Sequence, residues 1–489
     1  MTAEGACGVA RDVVVGDLLF ECTGLSQSLG AQLFSFGDKN AACGLYSISI
    51  DSRTVTEGAL FAALPGSVSD GHAFVEAAFK NGAAAALVER QKIEAFDLVS
   101  IAQKYKRTLI AVDNTLRAFQ DTARVYLERF PHLVKIGITG SSGKTTTKEI
   151  TAAILGVEKN TVMNPGNYNS ETGLPLSVYA VRPCHEVGVF EVGMNHQGEI
   201  AALVSVLKPH IALVTNIGSA HIGILGSQRA IVEEKRKIFS QFNETDIALI
   251  PEDSPFREAL AEKVNGTVSY FGQKSFAELG GVKSLGLDGT EIIWDGQRVH
   301  FALPGRYNLD NAFAAIAIAR KVGVSNHAIR QGLESVRPLF GRSEILRGKI
   351  TIIQDCYNSN PESAAQALEF CDGLDWQGRR VYIMGDMREL GENSRAAHEE
   401  LGRLLLDSKA DMIFLYGDEI EPAAAILKNN SLPFMHTCDI QELSHALELY
   451  AQDGDLILLK ASRGCALERL SATLALLPTV MCNQYEGAA

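Results

Sequence analysis

The sequence lacks any hydrophobic run long enough to cross a membrane. No apolar segment approaches the roughly 18 residues that a spanning helix needs. The opening stretch, MTAEGACGVARDVVVGD, has acidic side chains early and no uninterrupted apolar core, so it differs from a secretory signal. We therefore expect a cytoplasmic protein without a membrane span.

Cysteine pairing motifs are also missing. The chain has nine cysteines scattered along its length and no CxxC pair. Their odd number and wide spread favour reduced thiols, and they argue against a disulfide framework or a structural zinc site.

The chain has no excess of basic residues. It has 45 Lys and Arg residues against 58 Asp and Glu residues, which gives a net charge of −13. So acidic a chain is a poor partner for a polyanion, and we expect no nucleic acid partner. A small anionic substrate is compatible with this charge only where local donors and Mg²⁺ neutralise it.

The overall amino-acid composition is that of a large globular protein. Hydrophobic residues make up 46% and charged residues 21% of the chain. Its 489 residues are too many for one core and indicate about three domains. Apolar strands alternate with helices throughout, so we predict an α/β protein with domains at 1–130, 131–337 and 338–489.

Residues 134–150, VKIGITGSSGKTTTKEI, predict a phosphate-binding loop. Val134, Ile136 and Ile138 alternate as in a short buried strand, a small glycine-rich loop follows, and a helix begins near Lys144. Loop amides, the helix dipole and the lysine charge together form an anion site. Thr145 would place a hydroxyl on the accompanying Mg²⁺.

This loop departs from the general GxxxxGK[ST] pattern because Ile138 occupies the position of its first glycine. The alternative is a Gly/Ser turn before an ordinary helix with a surface lysine. The order of strand, loop, lysine and threonine favours the nucleotide site. Its predicted residues are Thr139, Gly140, Ser141, Ser142, Gly143, Lys144, Thr145 and Thr146.

Several polar residues follow apolar strands of the central unit. In a parallel sheet covered on both faces, ligands gather at the carboxyl ends of the strands. We therefore expect these side chains to converge on one site, although each alone would more often be a turn residue. They are Lys144, Thr145, Glu191, Asn216 and His221.

Other polar stretches have plain structural explanations when taken alone. Residues 51–53 follow a strand, and residues 70–72 form a turn. Arg53 has the chemistry to hold an oxyanion. Residues 233–237 are a mixed charge run that predicts a solvated helix face. Asn308 and Asn311 lie one helical turn apart, where they would either bond an adenine edge or cap the helix.

The most distinctive motifs together resemble those of the Mur ligases, ATP-dependent amide-forming enzymes of peptidoglycan precursor synthesis. The resemblance spans nearly the whole chain. Within the family, the DCYNSNP and GDMRELG pair is typical of the members that add D-alanyl-D-alanine. The motifs are DSR (51–53), DGHAF (70–74), TGSSGKTT (139–146), EVGMN (191–195), NIGSAH (216–221), LPGRYNLDN (303–311), GR (341–342), DCYNSNPES (355–363), GDMRELGENS (385–394) and KASR (460–463).

The resemblance implies a role for each unit. The first unit would bind the UDP-muramoyl peptide, the central P-loop unit would bind ATP and Mg²⁺, and a Rossmann-like third unit would close over ATP and bind the incoming dipeptide. The implied uridine diphosphate contacts are Ser52, Arg53, Asp70, Gly71 and His72. The implied adenine and closing residues are Asn308, Asn311, Arg342 and Asp355. The implied dipeptide-side residues are Asn358, Asn360, Ser462 and Arg463.

The family also implies a second Mg²⁺ bound by Glu191, His221 and Lys235, the last as a carbamate. That role would replace the solvated-face interpretation of residues 233–237. Lys237 stands where the family usually has an acid, which weakens the carbamate prediction. Two further departures from the family pattern are Gln354 before Asp355 and Ser170 in the loop after Gly166.

The implied activity is an ATP-dependent acid–D-amino-acid ligase of EC class 6.3.2. It would join UDP-N-acetylmuramoyl-tripeptide to D-alanyl-D-alanine through an acyl phosphate, and so serve bacterial cell-wall biogenesis, cell shape and division. The alternatives are a sister ligase that adds a diamino acid to the UDP-dipeptide, a folylpolyglutamate synthase, and a nucleotide-dependent protein without ligase activity. The third peptide residue stays open, and a monomer is expected.

Overall fold

The first unit of the computed structural model contains a five-stranded sheet. The structure describes residues 17–37, 43–430 and 432–476. Four strands of this sheet are parallel, and the edge strand Gln32–Ser35 is antiparallel to its neighbour. The sheet order is Gln32–Ser35, Thr108–Val112, Ala85–Glu89, Ala59–Ala62, Ser47–Ser49. Its helices are Cys22–Ser28, Val75–Lys80, Leu98–Tyr105 and Thr115–Leu127.

A disulfide joins Cys22 to Cys43, so the prediction of reduced thiols is wrong for this pair. The short strands Phe20–Glu21 and Gly44–Leu45 pair antiparallel and bring the two Cα atoms within 5.4 Å. Spacing along the chain carries no signal for such a pairing. Cys356, Cys371, Cys438 and Cys465 are free thiols. Cys7, Cys482 and most of the stretch compared with a secretory signal lie outside the described residues.

The central unit is built on a six-stranded, fully parallel sheet. Most of its strands are apolar and buried on both faces, as the sequence predicts, whereas the edge strand Thr267–Phe271 exposes Thr267 and Tyr270. The sheet order is Thr267–Phe271, Ile247–Pro251, Ile211–Val214, Val134–Thr139, Val187–Glu191, Thr161–Met163. The helices are Lys144–Leu155, Gly173–Val178, Glu199–Leu207, Ile222–Leu225, Gln228–Lys235, Arg257–Ala261, Arg306–Val322 and Asn326–Ser335.

An antiparallel sheet that was not predicted from the sequence lies, in chain order, between helices Arg257–Ala261 and Arg306–Val322 of the central unit. Its strands are Leu279–Ser284, Thr290–Trp294 and Gln297–Phe301. Trp294 is fully buried, and its indole nitrogen donates a hydrogen bond to the Asn326 side chain at 3.2 Å. This small sheet therefore packs on the central unit rather than forming a separate domain.

The third unit has a six-stranded sheet that contains all four of its predicted strands. Only the edge strand Glu344–Arg347 is antiparallel. The sheet order is Glu344–Arg347, Thr351–Asp355, Leu456–Lys460, Arg380–Gly385, Met412–Tyr416, Phe434–Thr437. The helices are Pro361–Gly373, Ser394–Leu406, Glu421–Lys428, Ile440–Tyr450 and Arg469–Leu476. The short 3₁₀ turns of the described residues are Gly71–Phe74, Arg90–Lys92, Arg236–Phe239, Gln273–Ser275, Gly286–Asp288, Gly391–Asn393 and Arg463–Cys465.

The first and central units share one hydrophobic core. Tyr126 and Tyr179 pack with their ring centroids 5.4 Å apart across this boundary, and the Tyr126 hydroxyl donates to the Val181 carbonyl at 2.8 Å. The third unit has buried clusters of its own. Within the described residues, no helix combines the length and the apolar character that a membrane crossing requires.

Gly332→Ala is expected to destabilise the protein by about 1–3 kcal/mol, because the new methyl group has no room. A Cβ at Gly332 would lie 2.8 Å from the backbone nitrogen of Ile154, where helix Asn326–Ser335 packs on helix Lys144–Leu155. Thermal unfolding measures the effect. Gly373→Ala is the control, since a Cβ there meets nothing within 4 Å. Equal melting temperatures for the two variants would contradict this close packing.

Candidate functional site

The phosphate loop follows the central strand Val134–Thr139 and is held tightly by its neighbours. Gly140 and Gly143 have φ angles of +153° and +76°, which disfavour other residues. A Cβ at Gly140 would overlap the Thr215 side chain, and one at Gly143 would overlap Asn311. Glycine is therefore required at both positions by conformation and by space.

One side of the loop is bonded to the end of the neighbouring strand. The Ser141 amide donates to the Asn216 carbonyl at 3.1 Å, and the Ser142 amide donates to Asn216 Oδ1 at 3.0 Å. The Thr215 hydroxyl donates to the Ser142 carbonyl at 2.6 Å. In contrast, no side chain caps the helix Lys144–Leu155, so its first amides remain available to an anion.

Two lysine ammonium groups meet at the Gly140 carbonyl. Lys144 Nζ donates to this oxygen at 2.8 Å and Lys235 Nζ donates to it at 3.0 Å. Burial lowers the pKa of Lys144. Burial, and then the charge of Lys144, holds the pKa of Lys235 well below its usual value. This crowding of positive charge favours the approach of an anion.

Residues 233–237 do not form a solvated face, so that prediction is wrong. Glu234 and Lys235 are each 1% exposed, because the last turn of helix Gln228–Lys235 points them inward. Glu234 accepts hydrogen bonds from the Gly198 and Ile200 amides, and Lys237 donates to it at 2.5 Å. Lys235 thus lies against the phosphate loop, at the Gly140 carbonyl.

Glu191 is the buried acceptor on the other side of the loop. The Thr145 hydroxyl donates to its Oε2 at 2.7 Å, and Asn169 Nδ2 donates to its Oε1 at 2.5 Å. The Asn164 side chain bonds both the backbone amide and the carbonyl of Glu191, at 2.8 and 3.1 Å. The carboxylate is therefore fixed in position before any ligand is bound.

Lys148 supports this arrangement, although it is not among the residues predicted from the sequence. Its fully buried Nζ donates to the Asn164 carbonyl at 2.6 Å and to the Gly166 carbonyl at 3.0 Å. The sequence does contain one indication of its role: Lys148 is four residues after Lys144, so both side chains lie on the same face of the helix. Lys148 therefore fixes the segment that carries Asn164.

Polar residues of the third unit face the phosphate loop across one cavity of about 570 Å³. Lys460 Nζ lies 2.9 Å from Asp355 Oδ2 and donates to the Asn358 carbonyl at 2.8 Å. The Arg342 guanidinium lies 4.1 Å from the centroid of the Tyr357 ring. The cavity therefore has positive side chains on both of its walls.

Most of the predicted nucleotide and metal residues line this cavity, so the expected convergence of strand-end residues is confirmed. The predicted residues in its wall are Ser141, Ser142, Gly143, Lys144, Thr145, Thr146, Glu191, Asn216, His221, Asn308, Asn311, Arg342, Asp355, Asn358 and Asn360. Predicted residues outside its wall are Thr139, Gly140, Lys235, Ser462, Arg463 and the five uridine diphosphate candidates.

Asn308 and Asn311 lie in the first two turns of helix Arg306–Val322. Asn308 Nδ2 donates to the Pro304 carbonyl at 2.7 Å, and Asn311 Oδ1 accepts from the Thr147 hydroxyl at 3.3 Å. The helix has no side-chain cap at Gly305, so the capping alternative is wrong. Their role at adenine stays a prediction.

The residues predicted to bind the diphosphate are engaged with each other. Arg53 is 86% exposed and pairs with Asp51 at 2.6 Å, and hydrogen bonds from Arg53 lower the pKa of Asp51 to about 2. His72 is fully buried, with Nδ1 2.6 Å from Asp70 and Nε2 accepting from the Glu89 amide at 2.8 Å. A ligand contact is therefore open to Arg53 but closed to the His72 side chain.

Ser462 and Arg463 form contacts within the third unit. Ser462 Oγ accepts a hydrogen bond from the Arg388 amide at 2.9 Å. Arg463 pairs with Glu468 at 2.5 Å and lies over Tyr357 at 5.9 Å. Their role beside a dipeptide stays a prediction.

The donor set suits Mg²⁺, which prefers oxygen ligands and keeps several from water and phosphate. Thr145 and Glu191 present a hydroxyl and a carboxylate side by side at the phosphate loop. Among the described residues, no three His, Cys, Asp or Glu side chains are gathered closely enough to hold a metal alone. The site therefore fits an ion that arrives with a nucleotide.

These features define a class: a three-unit α/β nucleotide-binding protein whose phosphate loop faces a separate C-terminal unit. The chain matches the families described as Mur ligase family, catalytic domain (45–126), Mur ligase middle domain (138–319) and Mur ligase, glutamate ligase domain (341–463). It belongs to the Mur ligase family.

Named relatives share nearly the full length of the chain. The UDP-N-acetylmuramoyl-tripeptide–D-alanyl-D-alanine ligase of Treponema pallidum is 41% identical over 441 residues, which cover 89% of this chain and 95% of that protein. The crystal structure of MurF from Acinetobacter baumannii has a TM-score of 0.83 at 29% identity and covers 93% and 98% of the two chains. MurF from Thermotoga maritima, solved with ADP, has a TM-score of 0.75 at 28% identity, with 88% and 97% covered.

Lys144→Met is expected to lower ATP turnover about 100-fold or more, because a charge directed at the phosphates is lost. The fold should be retained, since removing a charge that is costly to bury does not destabilise the protein. Steady-state turnover and melting temperature are the measurements. Lys159→Met is the control, because Lys159 forms only a surface pair with Glu186. Full turnover in Lys144→Met, or its unfolding, would contradict this role.

Proposed function

We propose that this chain is an ATP-dependent ligase that joins D-alanyl-D-alanine to UDP-N-acetylmuramoyl-tripeptide, releasing ADP and phosphate. The observation that carries the proposal is the single cavity between the phosphate loop and the third unit, which holds Lys144 on one wall and Asp355 and Lys460 on the other. The named relatives support the choice of substrates. The product is the UDP-muramoyl pentapeptide.

The first step forms an acyl phosphate. The terminal carboxylate of the tripeptide attacks the γ-phosphorus of ATP, and the bond from that phosphorus to the β–γ bridging oxygen breaks to release ADP. Lys144 and the first amides of helix Lys144–Leu155 neutralise the phosphate oxygens. Mg²⁺ held near Thr145 and Glu191 would add charge neutralisation when bound.

The second step forms the amide bond. The amine of D-alanyl-D-alanine attacks the acyl carbon, a tetrahedral intermediate forms, and phosphate leaves as the nitrogen loses its proton. The third unit, with Arg342, Asp355 and Lys460 in the cavity wall, shields the acyl phosphate from water. We assign the dipeptide side to Asn358, Asn360, Ser462 and Arg463.

The remaining assignments follow the three domains. Residues 1–130 bind the UDP-muramoyl peptide through Ser52, Arg53 and the 70–72 turn, residues 131–337 bind ATP, and residues 338–489 close over it. The Asp51 carboxylate accepts from Nε and Nη2 of Arg53 and so orients an exposed guanidinium that has further donors for the diphosphate. We place the reaction in the bacterial cytoplasm and expect a monomer.

We further propose that Lys235 is carbamylated. Burial and the charge of Lys144 lower the pKa of the Lys235 amine, which favours the neutral form that reacts with CO₂. The carbamate would be negatively charged and would form an ion pair with Lys144, since both side chains meet at the Gly140 carbonyl. With Glu191 and His221, it would then offer an oxygen to a second Mg²⁺.

Phosphate release from ATP is expected to require both the UDP-tripeptide and D-alanyl-D-alanine, with the pentapeptide identified by mass. The requirement follows because an acyl phosphate forms only with an acid and is consumed only by an amine. Turnover with the UDP-dipeptide and a diamino acid instead would make this chain the sister ligase. Absence of turnover with every acid–amine pair would refute ligase activity.

Removal of dissolved CO₂ is expected to lower wild-type turnover, and added bicarbonate should restore it, because the carbamate forms reversibly. Carbon-13 bicarbonate should give a carbamate signal in the nuclear magnetic resonance spectrum. Lys235→Ala is the control and should give neither the signal nor the bicarbonate response. Wild-type turnover that ignores CO₂, without such a signal, would contradict the modification.

A further inference from the structure

Glu362 of the third unit binds the central unit with both of its carboxylate oxygens. The Ser219 amide donates to Oε1 at 2.8 Å, and the Ser219 hydroxyl donates to Oε2 at 2.9 Å. Glu362 lies in the first turn of helix Pro361–Gly373. Two hydrogen bonds to one carboxylate fix both its position and its orientation.

The segment that receives Glu362 also holds the phosphate loop. We call residues 215–219 the support segment. Its Gly218 amide donates to the Ser141 hydroxyl oxygen at 2.8 Å, and Asn216 bonds both Ser141 and Ser142. Only one peptide unit therefore separates the bond to the phosphate loop from the bonds to Glu362.

Gly218 shows how closely the carboxylate approaches this segment. A Cβ at Gly218 would lie 2.9 Å from the Glu362 carboxyl carbon. Glu362 itself is absent from the cavity wall, although its neighbour Ser363 lines it. Glu362 therefore acts on the nucleotide site through the support segment and not by contact with a ligand.

A second contact between the same two units lies just beyond the support segment. His221 Nδ1 is 2.8 Å from Glu389 Oε2, and the Gly223 amide donates to the Glu389 carbonyl at 3.2 Å. A Cβ at Gly223 would lie 2.5 Å from the carbonyl carbon of Leu390, so the two backbones are in direct contact. The third unit thus docks at two adjacent points of one segment.

We propose that Glu362 is a positioning residue that couples docking of the third unit to nucleotide affinity, by fixing the support segment against the phosphate loop. The proposal rests on the proposed function for the identity of the nucleotide as ATP. When the third unit moves away, Ser219 loses its acceptor and the Ser141–Gly218 bond loses its support. By thermodynamic linkage, a bound nucleotide in turn favours the docked third unit.

The test measures ADP and non-hydrolysable ATP-analogue binding to the full chain by calorimetry, without peptide substrates. Glu362→Ala should raise the Kd about 5- to 30-fold, within the usual range of coupling between two sites. Glu362→Gln should recover part of this loss, because its amide oxygen still accepts from the Ser219 amide. Glu369→Ala, an exposed glutamate on the same helix, is the matched control and should bind as the wild type does.

A double-mutant cycle tests the route through Ser219. Ser219→Ala should weaken binding by itself and add little to Glu362→Ala, because the two residues act as one unit. Fully additive changes in binding free energy would show that Glu362 does not act through Ser219. A Kd for Glu362→Ala equal to that of Glu369→Ala would overturn the positioning role.

Gly223→Ala provides an independent variant should Glu362→Ala fold poorly. Its methyl group would separate the docked backbones without altering Glu362 or the phosphate loop, so the same rise in Kd is expected. Wild-type affinity in a folded Gly223→Ala protein would overturn the coupling. These Kd measurements are independent of the ligase reaction. Lack of turnover with every acid–amine pair would refute the proposed function but would leave the measured coupling in place.

Discussion

The Gly140 carbonyl receives hydrogen bonds from two lysines, and this crowding of positive charge governs the site. Lys144 and Lys235 are both held near the phosphate loop by one oxygen atom. Burial lowers the pKa of each, and the charge of Lys144 further lowers that of Lys235. Placing the two lysines together becomes favourable only when negative charge is added. The phosphates of a nucleotide supply that charge at Lys144, and a carbamate would supply it at Lys235.

Glu191, a carboxylate whose charge acts on Lys144, is held by a network of hydrogen bonds within the central unit. Glu191 is bonded by Thr145 and Asn169, and Asn164 bonds its backbone. Lys148 in turn fixes the Asn164 segment. Each member is bonded inside the central unit, so the nucleotide wall is preorganised and the ligand does not have to order it.

The sequence predicts those parts of the site that depend on local patterns. A strand, a glycine loop and a lysine at a helix start are contiguous, and a parallel sheet brings strand-end residues such as Glu191 and His221 to one edge. Three features depend on contacts between distant residues and were missed: the Cys22–Cys43 pairing, the antiparallel sheet around Trp294, and the burial of Lys235. A charge run alone contains no information about which of its members point inward.

The site has donors for phosphate although the chain has a net charge of −13, and several carboxylates around it already have partners. Asp355 is paired with Lys460, and Glu389 lies against His221, whose contact lowers the pKa of that carboxyl. Lys144 and Arg342 have no paired carboxylate among the described residues, so their charge is directed into the cavity. The third unit therefore adds positive potential as it docks, and its acidic residues serve to attach it rather than to repel the nucleotide.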